Sequence, residues 1–102
     1  MITIHELLYL DDDIKDRMDE IEEAVRENRI LPDIYYVALS SNQNEQLDIF
    51  SGFMFYMERK HREDLVIVGL AQGKDAAYEL VQQMAADTYA QTGSCNLRAI
   101  FD

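Results

Sequence analysis

The sequence predicts a small α+β domain in which two main helices pack on one face of a mixed or antiparallel sheet of about four strands. Two segments, residues 13–28 and 73–92, place apolar side chains at helical spacing. Other segments are short, apolar and rich in β-branched or aromatic residues, which is typical of strands. The chain has 102 residues and no Pro- or Gly-rich linker, so we treat residues 1–102 as a single α+β domain.

The N-terminal residues fit two different structures. Thr3 and Glu6 have the spacing of a helix capping box, in which a hydroxyl precedes a carboxylate by three positions. The apolar residues around them share one helical face. We expect a short helix over 4–10, and a strand over 1–4 is the alternative.

Residues 13–28 have the pattern of an amphipathic helix. Aspartates stand directly before and at its start, where negative charge stabilises the unpaired N–H groups of a helix N-terminus. The helix must end before Pro32, because the proline ring disfavours a helical conformation in the residue that precedes it. The predicted apolar stripe consists of Ile14, Met18, Ile21 and Val25.

The middle of the chain predicts a hairpin followed by a short helix. Residues 33–40 and 46–50 have the composition of strands, and the polar residues 41–46 form a turn between them. Residues 51–64 fit either a strand or a short helix, and the helical alternative covers residues 52–61. Basic side chains cluster at their end, where cations stabilise a helix, so we expect the helix.

The last third of the chain predicts a strand, a long helix and a final strand. The continuous apolar run at 65–71 is typical of an interior strand that is covered on both faces, or of a strand with a helix on one face and a partner on the other. Residues 73–93 then form a helix that ends at Gly93, and residues 95–101 form the final strand. The apolar face of this helix comprises Ala77, Leu80, Val81, Met84, Ala85 and Thr88.

The segment VIVGLAQGKDAA, residues 66–77, has the composition of a strand, a glycine turn and a helix start. A phosphate-binding P-loop needs four residues between its glycines and a hydroxyl after the lysine. Here three residues separate Gly69 from Gly73, and Asp75 stands where the hydroxyl is needed. We therefore expect a structural bend, with Gly69 allowing close packing, and no nucleotide cofactor.

The charge distribution indicates which kind of partner the protein could bind, and it does not indicate a reaction. Twenty acidic against nine basic residues give a formal charge of −11, which disfavours direct binding to nucleic acid. An acidic stripe on the helix at 13–28 lies opposite its apolar stripe. We expect a solvated face; the functional alternative is a docking face for a basic protein, or a mimic of the phosphate backbone. The acidic stripe consists of Asp16, Glu20, Glu23 and Glu27.

An aromatic and methionine cluster is the best candidate for an interface. Such clusters are usually part of a core, but this one is nearly continuous, so not every side chain can point inward. Its composition is enriched at protein interfaces, and we expect a homodimer. The predicted interface residues are Phe50, Phe53, Met54, Phe55, Tyr56 and Met57.

No residue pattern predicts a catalytic or metal site. His5, His61 and Cys95 are far apart in the chain and show no metal-ligand spacing. The acidic segment that starts at Asp11 lacks the glycine of an EF-hand loop. We expect no catalytic residues, no cofactor and no metal.

The same composition predicts a cytoplasmic protein that does not enter a membrane. No apolar stretch approaches the roughly 20 residues of a membrane-spanning helix. No N-terminal segment combines a basic start with a signal-peptide apolar run. A single cysteine excludes an intramolecular disulfide and fits a reducing compartment.

These observations favour a non-catalytic interaction or regulatory module. An acidic inhibitor of a basic nucleic-acid-binding protein is the first alternative, and a small enzyme without a recognisable motif is the second. A mimic should bind basic proteins with a steep salt dependence. An enzyme should have a pocket with converging polar groups and shifted pKa values.

Overall fold

The computed structural model describes residues 2–39, 47–60 and 65–93. It confirms the α+β fold with a mixed sheet. The predicted turn at 41–46 and the predicted strand at 95–101 lie outside the described residues. The strands are β1 (Thr3–Leu10), β2 (Ile34–Leu39), β3 (Leu47–Ser51) and β4 (Val66–Gln72), and the α-helices are α1 (Met18–Glu27), α2 (Gly52–Glu58) and α3 (Lys74–Thr92).

The four described strands are arranged in the order β1-β4-β2-β3. β4 lies parallel to β1 and antiparallel to β2, and β2 and β3 form an antiparallel pair. The interior position of β4 confirms the prediction from the apolar run at 65–71. The antiparallel pairing of β2 with β3 agrees with the hairpin predicted from the two strand segments at 33–40 and 46–50.

The helices α1 and α3 pack on opposite faces of the sheet, so the prediction that both lie on one face is wrong. Successive side chains of a strand point to opposite faces. Along β2, Tyr36 and Ala38 belong to one core and Val37 and Leu39 to the other. The α1-side core is Ile14, Ile21, Val25, Ile34, Tyr36, Ala38, Phe50, Phe55, Leu65, Ile67 and Leu70, and the α3-side core is Val37, Leu39, Val68, Ala71, Ala77, Leu80 and Met84.

The N-terminal segment is a strand, so the predicted helix over 4–10 is wrong. Thr3 donates its backbone N–H to the Leu65 carbonyl at 3.0 Å, and Ile4 lies opposite Ile67. The strand alternative was correct in type, but the strand extends to Leu10. Pairing with β4 gives this segment backbone hydrogen bonds along one side and packs its apolar side chains against the α1-side core, and this outweighs a local capping signal.

The predicted helix at 13–28 is confirmed, but its first part is a 3-10 helix and not an α-helix. A 3-10 helix covers Asp12–Arg17 and leads directly into α1. Asn28 ends α1 in the left-handed conformation, at φ 60°, before Pro32. Ile14, Ile21 and Val25 of the apolar stripe are buried, and Met18 is half-buried.

Gly69 lets α3 approach the sheet closely, as the sequence predicts. A Cβ atom built on Gly69 would lie 2.7 Å from Met84 Cε and 2.9 Å from Leu80 Cδ2. β4 also has an irregularity here, because Val37 pairs with Gly69 while Ala38 pairs with Ile67. The extra residue of β4 turns both Val68 and Gly69 towards α3.

Candidate functional site

The most prominent apolar feature of the described surface is the outer face of α2. Phe53, Met54 and Met57 are exposed by 58%, 48% and 41%. In an α-helix these three positions fall within one exposed arc. We call these three residues the α2 patch.

The helix under the patch is firmly attached to the domain. Ser51 caps its N-terminus by accepting a hydrogen bond from the Met54 backbone N–H at 3.2 Å. Gly52 is buried and packs directly against the backbone of Leu31, since an added Cβ would overlap the carbonyl oxygen of that residue. Phe55 stacks on Tyr36 in the α1-side core with ring centroids 4.2 Å apart. The α2 patch is therefore presented by a fixed element.

Two of the six predicted interface residues are core residues instead. Phe50 is exposed by only 7% and Phe55 by only 3%, so neither can contribute surface to an interface. Tyr56 is half-buried, and the Lys60 Nζ lies 4.4 Å from its ring centroid. The helical period explains the division, because Gly52, Phe55 and Arg59 share the inner side of α2 and the patch residues share the outer side.

The predicted acidic stripe faces water along its whole length. Asp16, Glu20, Glu23 and Glu27 are all exposed. Arg29 pairs with Glu23 at 3.2 Å and with Glu27 at 3.3 Å. The left-handed residue at the end of α1 turns the chain back, which places Arg29 over the preceding turn. These ion pairs reduce the negative potential of the C-terminal half of the stripe.

Arg17 connects the start of α1 to the sheet. Its guanidinium donates to Asp33 at 2.5 Å, to Gln72 at 3.1 Å and, through Nε, to Glu20 at 3.1 Å. The hydrogen bond from Arg17 is the main reason that the pKa of Asp33 lies below its usual value. Arg17 thus joins the 3-10 helix to the beginning of β2 and the end of β4.

The ion pairs predicted from α-helical spacing are not the ones that form. The sequence favours Asp11–Lys15, Asp13–Arg17 and Glu22–Arg26 pairs at i, i+4. Lys15 instead pairs with Asp12 at 3.2 Å. In a 3-10 helix the side chains at i and i+3 are aligned, which explains this partner.

A second polar arrangement connects β1 to α3. Tyr9 donates its hydroxyl to Asp87 at 2.6 Å, and Gln83 donates to the other oxygen of Asp87 at 2.8 Å. Burial, and then the hydrogen bond and charge of Asp87, raise the pKa of Tyr9 to about 12. The phenol therefore stays protonated near neutral pH and acts as a hydrogen-bond donor that holds Asp87.

Two backbone N–H groups at the glycine junction between β4 and α3 already donate hydrogen bonds within the protein. Gly73 donates its N–H to the Asp33 carbonyl at 2.9 Å. The Gln72 N–H donates to the Asp11 carboxylate at 3.4 Å. A carboxylate at this position opposes a bound phosphate, and the absence of nucleotide binding stays a prediction.

The histidines and the cysteine give little further information on chemistry. His5 is half-buried in β1. His61 and Cys95 lie outside the described residues. Within residues 2–39, 47–60 and 65–93, no group of three or more His, Cys, Asp or Glu side chains is placed to hold a metal ion.

No helix in the described part of the chain has both the length and the apolar character needed to cross a membrane. Comparison of the chain with protein-family models, with curated proteins and with solved structures found no match.

Proposed function

We propose that this protein is a non-catalytic interaction module, acting in the cytoplasm, that forms a homodimer through the α2 patch. The observation that supports this most directly is the exposure of Phe53, Met54 and Met57 on one short, well-anchored helix. Large apolar side chains of this kind are individually normal on a surface, but a cluster marks a contact site. Aromatic residues and methionine are also the types enriched at interface centres.

The size of the patch fits the centre of an interface. With about 200 Å² for each large side chain, the three exposed fractions correspond to roughly 300 Å² of apolar surface. A two-fold axis through the patch would bury it on both copies, or roughly 600 Å² in total. Stable interfaces bury about 1,200–2,000 Å², so the neighbouring residues must supply a polar rim.

Light scattering of the purified protein at tens of micromolar tests this proposal. The expected mass is about twice the 11.9 kDa of the chain. Met57→Glu places a charge in the patch, and the variant should be a monomer because the charge would be buried without a partner. The matched control is Tyr89→Glu, an exposed site on α3, which should leave the dimer intact. A wild-type protein that is monomeric in this range would contradict the proposal.

A second candidate function is docking of a basic protein on the acidic stripe. The supporting observation is the continuous exposure of Asp16, Glu20, Glu23 and Glu27 along one side of the molecule. Binding to a synthetic arginine-rich peptide should weaken steeply with salt, and Asp16→Asn with Glu20→Gln should weaken it further. Salt-independent binding, or equal binding by the double variant, would remove this candidate.

A further inference from the structure

A surface cavity of about 420 Å³ lies on the α1 side of the molecule. Its volume is within the range of small-molecule sites. It lies between the start of β1, one flank of α1 and the end of α2. The described lining residues are Ile2, Ile4, Glu22, Val25, Arg26 and Arg59.

The cavity combines an apolar side with two arginine side chains. Ile2, directly before β1, and Ile4 of β1 are half-buried and pack against the α1-side core, and Val25 is buried within it. Arg26 enters from the last turn of α1, and Arg59 enters from the C-cap of α2. An apolar surface beside a few converging polar groups is the usual composition of a ligand site.

Arg26 and Arg59 both lack a carboxylate partner among the described residues. Arg17, Lys15 and Arg29 each form an ion pair with an acidic side chain. Arg26 and Arg59 form no ion pair within the described part of the chain. Lys60 and Lys74 also form no ion pair among the described residues, but each lies over a tyrosine ring and neither lines the cavity.

Arg59 is held in position before any ligand arrives. It is half-buried, and its guanidinium carbon lies 5.5 Å from the centroid of the Phe55 ring. Burial lowers the pKa of Arg59 but leaves the group charged, since arginine titrates far above neutral pH. A fixed, partly desolvated guanidinium binds a planar anion more strongly than a mobile, hydrated one.

From this geometry we infer that the cavity binds a small monocarboxylate with an apolar body, with its carboxylate at Arg59 and Arg26 and its body against Ile2, Ile4 and Val25. A carboxylate matches the fork of a guanidinium with two parallel hydrogen bonds. A phosphate monoester is disfavoured, because it carries nearly two charges and Glu22 lines the same cavity. The net charge of −11 also repels a dianion more strongly than a monoanion.

Titration of the full chain with phenylbutyrate, followed by methyl NMR, tests the inference. The methyl signals of Ile2, Ile4 and Val25 should shift and saturate together. The neutral analogue phenylbutyramide should bind at least about tenfold more weakly, because it lacks the charge that strengthens the guanidinium hydrogen bonds. Phenyl phosphate should also bind more weakly than phenylbutyrate.

Three variants locate the binding site. Arg59→Met keeps the unbranched stem of the side chain, removes the guanidinium and should weaken phenylbutyrate binding by about tenfold or more. Arg26→Met changes an exposed residue and should also weaken binding, and it decides the question if Arg59→Met fails to fold. Arg29→Met, which removes an arginine paired outside the cavity, should bind as the wild type does.

Three outcomes would overturn the inference. The first is an absence of saturation with phenylbutyrate up to about 10 mM, the weak end of specific binding. The second is equal binding of phenylbutyrate and its amide, which would mean that the arginines do not contribute. The third is tighter binding of phenyl phosphate, since this would assign the cavity to another class of ligand.

Discussion

Replacing Ile21 by alanine should destabilise the fold by about 4 kcal/mol. Ile21 is fully buried in the α1-side core, which also contains Tyr36 and Phe55. The substitution removes three carbon atoms, at about 0.8 kcal/mol each, or roughly 2.4 kcal/mol. It also leaves a cavity of roughly 80 Å³, which at about 24 cal/mol per Å³ adds nearly 2 kcal/mol if the site does not collapse.

The matched control on the same helix is Glu23→Gln. Glu23 is exposed, lies one helical turn from Asp19 and Glu27, and pairs with Arg29 at 3.2 Å. Relief of the repulsion stabilises by a few tenths of a kcal/mol, and loss of an exposed ion pair costs about 0–1 kcal/mol. The free energy of unfolding should therefore change by less than about 1 kcal/mol.

Urea unfolding of the two variants and the wild type measures both effects. The midpoint should fall strongly for Ile21→Ala and change little for Glu23→Gln, with the same slope in all three proteins. Equal destabilisation by the two variants would refute the reasoning. It would show that the Glu23 carboxylate makes a specific buried contact, and that the acidic stripe is not a solvated face.

Two further properties of the fold can be measured with the same assay. Gly69→Ala should cost about 1–3 kcal/mol, because its Cβ would lie 2.7 Å from Met84 Cε; an unchanged midpoint would mean that α3 can move away without cost. Arg17 lowers the pKa of Asp33, so the pair stabilises the fold above the unfolded-state pKa of about 4, and this stability is lost as the pH falls through the lower folded pKa. Asp33→Asn should therefore lose less stability than the wild type between pH 5 and the acid limit, and an equal loss would contradict this role of Arg17.

Hydrophobic periodicity predicts most of the helices and strands but not the side of the sheet on which each helix lies. The apolar stripes of α1 and α3 must each be buried against the sheet, and packing on either face of the sheet would bury them. Part of the information was present in the run at 65–71, because a strand that is apolar at every position needs cover on both faces. A pair of helices on opposite faces meets that requirement, and so would one helix and a partner chain, so the run alone does not decide between them.

Local signals fail where distant chain segments decide the structure. The residues of β1 have a capping pattern, but their backbone pairs with residues of β4 that lie at least 60 positions away. The Tyr9–Asp87 hydrogen bond spans 78 positions and has no signature in the sequence. The ion pairs of Arg17 likewise depend on the meeting of α1, β2 and β4.

The candidate interface was found in part from composition. The cluster at 50–57 correctly predicts that some of its large apolar side chains are exposed. Composition alone does not separate Phe55, in the core, from Phe53, on the surface. The helical period over Gly52–Glu58 separates them, once the segment is known to be α2 rather than a strand.

Isotope-filtered NMR of a mixed sample tests the role of the α2 patch most directly. Methyl-labelled protein is mixed with unlabelled protein at a concentration at which light scattering reports a dimer. The methyl groups of Met54 and Met57 should then show intermolecular contacts, including contacts with the ring of Phe53 in the partner copy. A dimer whose intermolecular contacts lie elsewhere, with the Met54 and Met57 methyl groups free of them, would contradict an interface at the α2 patch.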